Sequence, residues 1–266
     1  MILRSNRECA FLPWLCSLTI GLSSTLYAHT PPPLVLCFED IPQKPWTHPD
    51  GSGLNLDLLR MVQRRLNEQL IFVPKPWKRC LQELKAGKID GVIGGQDAPD
   101  RRTFAVFPTL PKGQIDSKYR LFGDRFYIYV ARGSLVDWDG VQVSNLSKPV
   151  AIQSAYAIHH KLDRLGVHYI EAGKTAADGF RLMEAGVVDA VIAQGDEGTA
   201  LLEREHRFKD QFIQLPNPFD TVAFYLFFSQ ATYNKSPTRI RSIWQEIEKV
   251  RESGEYKKME AKAFEK

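Results

Sequence analysis

Leu84-Lys85-Ala86-Gly87-Lys88-Ile89-Asp90-Gly91-Val92-Ile93 is echoed by Met183-Glu184-Ala185-Gly186-Val187-Val188-Asp189-Ala190-Val191-Ile192. Each stretch reads as the last turn of a helix, a glycine suited to the left-handed position past the helix end, a short turn and a buried strand. A helix-to-strand unit used twice at domain-scale spacing predicts two similar α/β lobes. Open α/β sheets bind ligands beyond the carboxyl ends of their strands. The loops that follow 91–93 and 190–192 are therefore where function is to be sought.

The flanking sequence extends each copy into the same succession. Ahead of the first lie a strand over 34–38, a turn-rich loop over 39–53 and a helix over 54–66 with Leu54, Leu56, Leu58, Leu59, Val62 and Leu66 on one face. A strand over 71–73 follows, stopped by Pro74 and Pro76, then a helix over 77–85. The second copy is preceded by a strand over 150–152, a helix over about 155–165, a strand over 169–170 and a helix over 176–184. Both series are βαβαβ, which predicts a largely parallel sheet. Strands over 126–130 and 224–228 stand outside the repeat, and helices over 239–251 and 256–264 close the chain.

The first 28 residues read as a secretory signal. Arg4 and Arg7 precede an apolar stretch over about 10–26 that ends at Leu26-Tyr27-Ala28. Pro13, Gly21 and Ser23-Ser24-Thr25 break that stretch too often for a stable membrane span. Cys16 follows Trp14-Leu15 rather than the small residue a lipoprotein signal needs. The remainder, from 29 onward, is expected to be exported. With 44% hydrophobic and 25% charged residues the full chain's composition is globular, and its net charge of +4 without any basic block argues against nucleic-acid binding. Cleavage leaves two cysteines, Cys37 in the first strand and Cys80 in the first turn of a helix. An oxidising compartment favours a disulfide between them, two buried thiols being the alternative. His159 and His160, adjacent on a helix, are expected to point about 100° apart and so to share no metal. No cofactor motif is present, neither a phosphate-cradling glycine loop nor a Gly-x-Ser-x-Gly elbow.

The chain resembles the family 3 periplasmic solute-binding proteins of ABC importers over essentially all of 34–264. The resemblance rests on Pro45-Trp46 followed by Gly53-Leu54-Asn55-Leu56-Asp57-Leu58-Leu59, and on Trp77, Leu81, Leu84, Gly87 and Asp90 at their spacing. Asp100-Arg101 with Phe107-Pro108, and Trp244 with Ser253-Gly254-Glu255-Tyr256, complete it. It implies a two-lobed periplasmic-binding-protein-like (type II) α/β fold with two crossover strands. Lobe 1 would comprise 29–124 and 220–266, and lobe 2 would comprise 125–219. It also implies a periplasmic monomer with two partners, a small carboxylate-bearing solute and an inner-membrane ABC permease.

By the same resemblance Arg101 would hold the ligand carboxylate, a task that suits a planar, always charged fork. Trp46 would stack on the ligand, or pack in the core. Gly94-Gly95-Gln96 stands where relatives often carry Ser or Thr, which leaves Gly94 and Gln96 as candidate contacts through backbone groups and one amide. Gln194 occupies the place of the carboxylate that usually takes a ligand ammonium, and a neutral amide cannot neutralise a buried ammonium. Asp196 could substitute, and Ser154, in the second-lobe anchor, is a further candidate contact that would also cap the helix that follows. A few relatives are enzymes, the cyclohexadienyl dehydratases, whose chemistry needs a carboxyl acid in the cleft. Glu39, Asp196 and Glu197 qualify by placement alone. A stand-alone sensor is the remaining alternative.

Overall fold

A computed structural model describes residues 31–265, so the leader over 1–28 lies outside the described residues. The first repeat supplies β1 (Leu34–Glu39), α1 (Leu54–Leu66), β2 (Leu70–Lys75), α2 (Trp77–Lys85) and β3 (Gly91–Gln96). A short β4 (Ala105–Val106) leads to β5 (Phe122–Ala131) and a small hairpin, β6 (Asp137–Trp138) and β7 (Val143–Ser144). The second repeat supplies β8 (Val150–Ile152), α3 (His159–Leu165), β9 (Tyr169–Glu171), α4 (Ala176–Glu184) and β10 (Ala190–Gln194). Then come α5 (Glu197–Arg204), α6 (His206–Lys209), β11 (Phe212–Gln214) and β12 (Asp220–Ser229). Helices α7 (Gln230–Lys235), α8 (Pro237–Arg251) and α9 (Gly254–Phe264) end the chain.

The sheet runs β2-β1-β3-β12-β5-β10-β8-β9. Its two wings are built alike. In each, the first strand of the repeat lies in the middle, the second outside and the third inside, and all pairings within a wing are parallel. Antiparallel β12 and β5 join the wings, with Asp220 opposite Phe126 and Phe224 opposite Phe122. This is the mixed α/β arrangement that the resemblance implied, with two long strands carrying the chain between its halves. Among the described residues, no helix is long and apolar enough to cross a membrane.

The twin motifs do structural work at the amino ends of β3 and β10. Gly87 (φ 66°) and Gly186 (φ 68°) take the left-handed conformation just past α2 and α4. Asp90 Oδ2 accepts from the Val35 amide, and its Oδ1 accepts from the Thr232 hydroxyl. Asp189 Oδ2 likewise accepts from the amides of Ser147 and Lys148. Each aspartate thereby pins the start of a wing's third strand, Asp90 to the first residues of β1 and Asp189 to the segment leading into β8.

Three local departures from the sequence reading have physical causes. Helix α3 begins at His159 and not near 155, because Ala155 takes φ 63° and breaks the helical path. Ser154 therefore caps nothing; Ile158 is the N-cap and makes no side-chain cap bond. The short elements α5, α6 and β11 escaped notice because their apolar runs are brief. They bury Phe208 and Phe212 against Phe180.

Cys37 and Cys80 are joined by a disulfide, Cα to Cα 5.7 Å, which ties α2 to β1 across a sequence separation of 43. A loop of that length corresponds to about 4 kcal/mol in the chain-entropy description. Reduction, or paired replacement by serine, is expected to lower the unfolding free energy by about 2–4 kcal/mol in urea titrations. An unchanged midpoint would contradict this.

Candidate functional site

The carboxyl ends of β1, β3 and β10 converge on one small cavity of about 20 Å³. Glu39 ends β1, Gln96 ends β3 and Gln194 ends β10, so all three strand ends present a polar side chain there. Between Gly95 and Ile93, which pair with Tyr225 and Leu226, Gly94 is the extra residue of a bulge with φ 79°. The bulge turns the backbone of 94–96 toward the cavity. Gly95 has no room for a side chain: a Cβ there would lie 2.1 Å from the Phe227 ring.

Arg101 sits in a single 3₁₀ turn after β3 and is only 3% exposed. Its Nη1 donates to the Gln96 carbonyl at 2.8 Å and its Nη2 to the Ala155 carbonyl at 3.0 Å. The guanidinium lies 5.3 Å from the Trp77 ring centroid. Burial lowers its pKa to about 10, so it stays charged at neutral pH. No ion pair reaches it among the described residues. The neighbouring Arg102 differs: it forms a two-pronged pair with Asp97 at 2.6 and 2.7 Å.

Glu39 is the cavity's buried acid. Its Oε2 accepts from the Tyr156 hydroxyl and from Gln43 Nε2, both at 2.7 Å. Burial drives its pKa up to about 8; the hydrogen bond from Tyr156 works against this, and Glu197 and Asp40 add to it. At neutral pH the carboxyl holds its proton. The turn over 154–158 thus reaches across from the second repeat with two groups. The Ala155 carbonyl accepts from Arg101 and from Trp77 Nε1 (3.2 Å), and the Tyr156 phenol meets Glu39.

Of the candidates read from sequence, Arg101, Gly94, Gln96 and Gln194 line this cavity. Gln194 donates to Asp124 at 3.2 Å. Trp46 and Asp196 border a separate hollow. Trp46 stacks on Phe122 at 4.2 Å, while its carbonyl accepts from the Asn55 amide and so helps cap α1. Asp196 is exposed at the start of α5. Ser154 lines neither space. Glu197 is spent on structure, accepting from the Ala176 amide and from Gln153. Tyr156 and Gln43 were missed, and Trp77, which also lines the cavity, reads from the sequence as a structural residue at a helix start. Their one sequence signal was position, since each lies just past the carboxyl end of a strand.

One premise fails. The His159 and His160 rings do not diverge; their centroids lie 3.9 Å apart. At the head of a short helix, His160 turns to meet Asp100 at 2.7 Å and His159 leans toward Asp163 at 3.3 Å.

Residues 43–266 match the sequence profile of the bacterial extracellular solute-binding proteins, family 3, and the chain belongs to that family. No curated protein matches the sequence. Among solved structures, a histidine kinase sensor domain with similarity to periplasmic binding proteins superposes with a TM-score of 0.67 at 18% identity, covering 86% of this chain and 94% of its own. An amino-acid ABC transporter substrate-binding protein from Streptococcus pneumoniae, bound to L-arginine, gives 0.61 at 17% over 88% and 94%. An ancestral amino-acid-binding protein, described as a precursor of cyclohexadienyl dehydratase, gives 0.61 at 17% over 87% and 95%. At these identities the likeness is one of fold.

The raised acid has a stability signature. Folded, Glu39 keeps its proton up to about pH 8, whereas the unfolded chain keeps it only to about 4.5. The folded state holds the extra proton between these values, so stability falls as pH rises through that window. Glu39→Gln has no such proton to lose. Its stability relative to wild type should climb from about pH 5 to about 8, by an amount on the order of a few kcal/mol in urea titrations. A difference independent of pH would contradict the protonated acid.

Proposed function

We propose that the protein is a periplasmic solute receptor that closes two lobes over a small amino acid or related carboxylate and delivers it to an ABC importer. The observation that carries this reading is Arg101, a buried guanidinium whose described partners are two backbone carbonyls. A buried charge of this kind is costly unless an opposite charge meets it, and a planar fork fits a carboxylate with two parallel hydrogen bonds.

Glu39 supplies the complementary feature. A solute ammonium placed against it would draw off the carboxyl proton and leave an ion pair, which the neutral amide of Gln194 cannot provide. The backbone at Gly94 and the amides of Gln96 and Gln194 would fix orientation, and Trp77 would cover an apolar part. Lobe 1 would comprise 29–124 and 220–266 and lobe 2 would comprise 125–219, in keeping with the two parallel wings. Cleavage after Ala28 would release a monomer into the periplasm, where its closed form would present the surface an inner-membrane permease reads.

A second reading follows from one observation. A carboxyl protonated at neutral pH beside an anion-holding guanidinium is also what acid-assisted loss of a hydroxyl from a carboxylate substrate requires. One experiment separates the two readings. A thermal-shift screen of amino acids, amines and small carboxylates is expected to stabilise wild type, with the shift lost in Arg101→Met while that variant stays folded. Indifference of both proteins to every compound would overturn the receptor. Dehydration of a hydroxylated cyclohexadiene carboxylate, abolished in Glu39→Gln, would establish the enzyme instead.

Proton release refines the receptor reading. At pH 7 a solute bearing an ammonium should expel up to about one proton on binding, seen as a dependence of calorimetric heat on buffer ionisation enthalpy. The dependence should vanish in Glu39→Gln. Equal heats in all buffers would remove Glu39 from contact with the amine.

A further inference from the structure

We propose that Asp100, His159 and His160 form a site for a divalent transition-metal ion of the zinc, nickel or copper type, bridging the loop after β3 to the head of α3. One donor atom from each of the three lies within 4.8 Å of the other two. They come from opposite wings of the sheet: Asp100 follows β3, and the two histidines follow β8. The site is independent of the solute-binding reading.

The geometry is close to a coordination sphere. His160 Nε2 and Asp100 Oδ1 stand 2.7 Å apart. Two ligands at about 2.0–2.1 Å from one ion, at octahedral or tetrahedral angles, stand about 2.9–3.4 Å apart, so the pair need open by only a few tenths of an ångström to admit it. The third donor has the freedom to complete the set, because the His159 side chain is a quarter exposed. Asp163 contacts His159 at Nδ1, which leaves Nε2 for the ion. A carboxylate behind a ligating imidazole is the usual way to fix its tautomer and orientation.

Charge and access agree. Two neutral imidazoles and one carboxylate present a net negative donor set, and imidazole selects transition metals over calcium or magnesium. Of the neighbouring cations, Arg102 is engaged with Asp97 and Lys161 with the Phe219 carbonyl and Asp220, while the Arg101 guanidinium donates to the Gln96 and Ala155 carbonyls. Asp100 and His160 keep side-chain exposures of 56% and 23%, so an ion can enter and water can fill its remaining positions. Asp100 directly precedes Arg101, and α3 directly follows the turn that carries Ala155 and Tyr156. An ion held here would fasten the two segments that meet over the cavity.

The test is calorimetric titration of the tag-free chain with zinc chloride alone at pH 7.5, with cobalt chloride in parallel for its visible bands. One equivalent is expected to bind with micromolar affinity. Asp100→Asn and His160→Ala should each weaken it by about tenfold or more, while both variants keep the circular dichroism of wild type. His206→Ala, on α6, should bind as wild type does. Bound cobalt should show the bands of a nitrogen- and oxygen-ligated ion. No binding at 100 μM zinc, on the order of the weakest affinity such a donor set would give, would overturn the site. So would equal affinity in wild type and the Asp100→Asn/His160→Ala double variant, which would place the ion elsewhere.

Discussion

The charge on Arg101 governs how this protein is put together around its cavity. A guanidinium only 3% exposed cannot lose its proton at neutral pH, and its backbone partners cancel only part of its field. Elements from both wings are committed to that one group. The end of β3 supplies the Gln96 carbonyl, α2 supplies the Trp77 ring, and the turn after β8 supplies the Ala155 carbonyl. Ala155 holds a left-handed conformation at a cost of roughly 1–2 kcal/mol. Strain of that kind persists where the surroundings fix the backbone, and here it aims a carbonyl at Arg101 and Trp77.

Glu39 is the counterpart of Arg101 in the cavity lining. It is as deeply buried, and its proton takes the place of the charge that burial disfavours. The cavity is therefore lined by a permanent cation and by an acid whose charge depends on what faces it. Under the proposed function, that asymmetry would favour a solute with an anionic group at one end and a proton donor at the other.

Much of the fold was legible in the sequence because its signals are local. Ala-Gly-x-x-Asp followed by Val-Ile marks a helix end, a left-handed glycine and a buried strand. Each aspartate proved to clip the third strand of its own wing to the region of the first, a role that sequence alone could not assign. The crossover strands were found but underestimated: β5 and β12 extend over ten residues each, since their outer halves carry polar residues such as Asp124 and Thr221 that hide a strand. Helix α3 was begun too early because Ser154-Ala155-Tyr156 carries no glycine to announce a left-handed residue.

The site was legible only in part, for a physical reason. Arg101 announces itself through motif spacing. Glu39, Tyr156 and Trp77 acquire meaning only when distant strand ends meet. Trp46, whose loop left both ligand stacking and core packing open, packs on Phe122, and its carbonyl helps cap α1. The most direct measurement compares the affinity of one bound amino acid with that of its methyl ester, in wild type and in Arg101→Ala. The account predicts that esterification costs wild type at least about tenfold and costs the variant almost nothing, because both changes remove the same charge-assisted bonds. Equal losses in both proteins would mean that the carboxylate is held elsewhere, and the role given to Arg101 would fall.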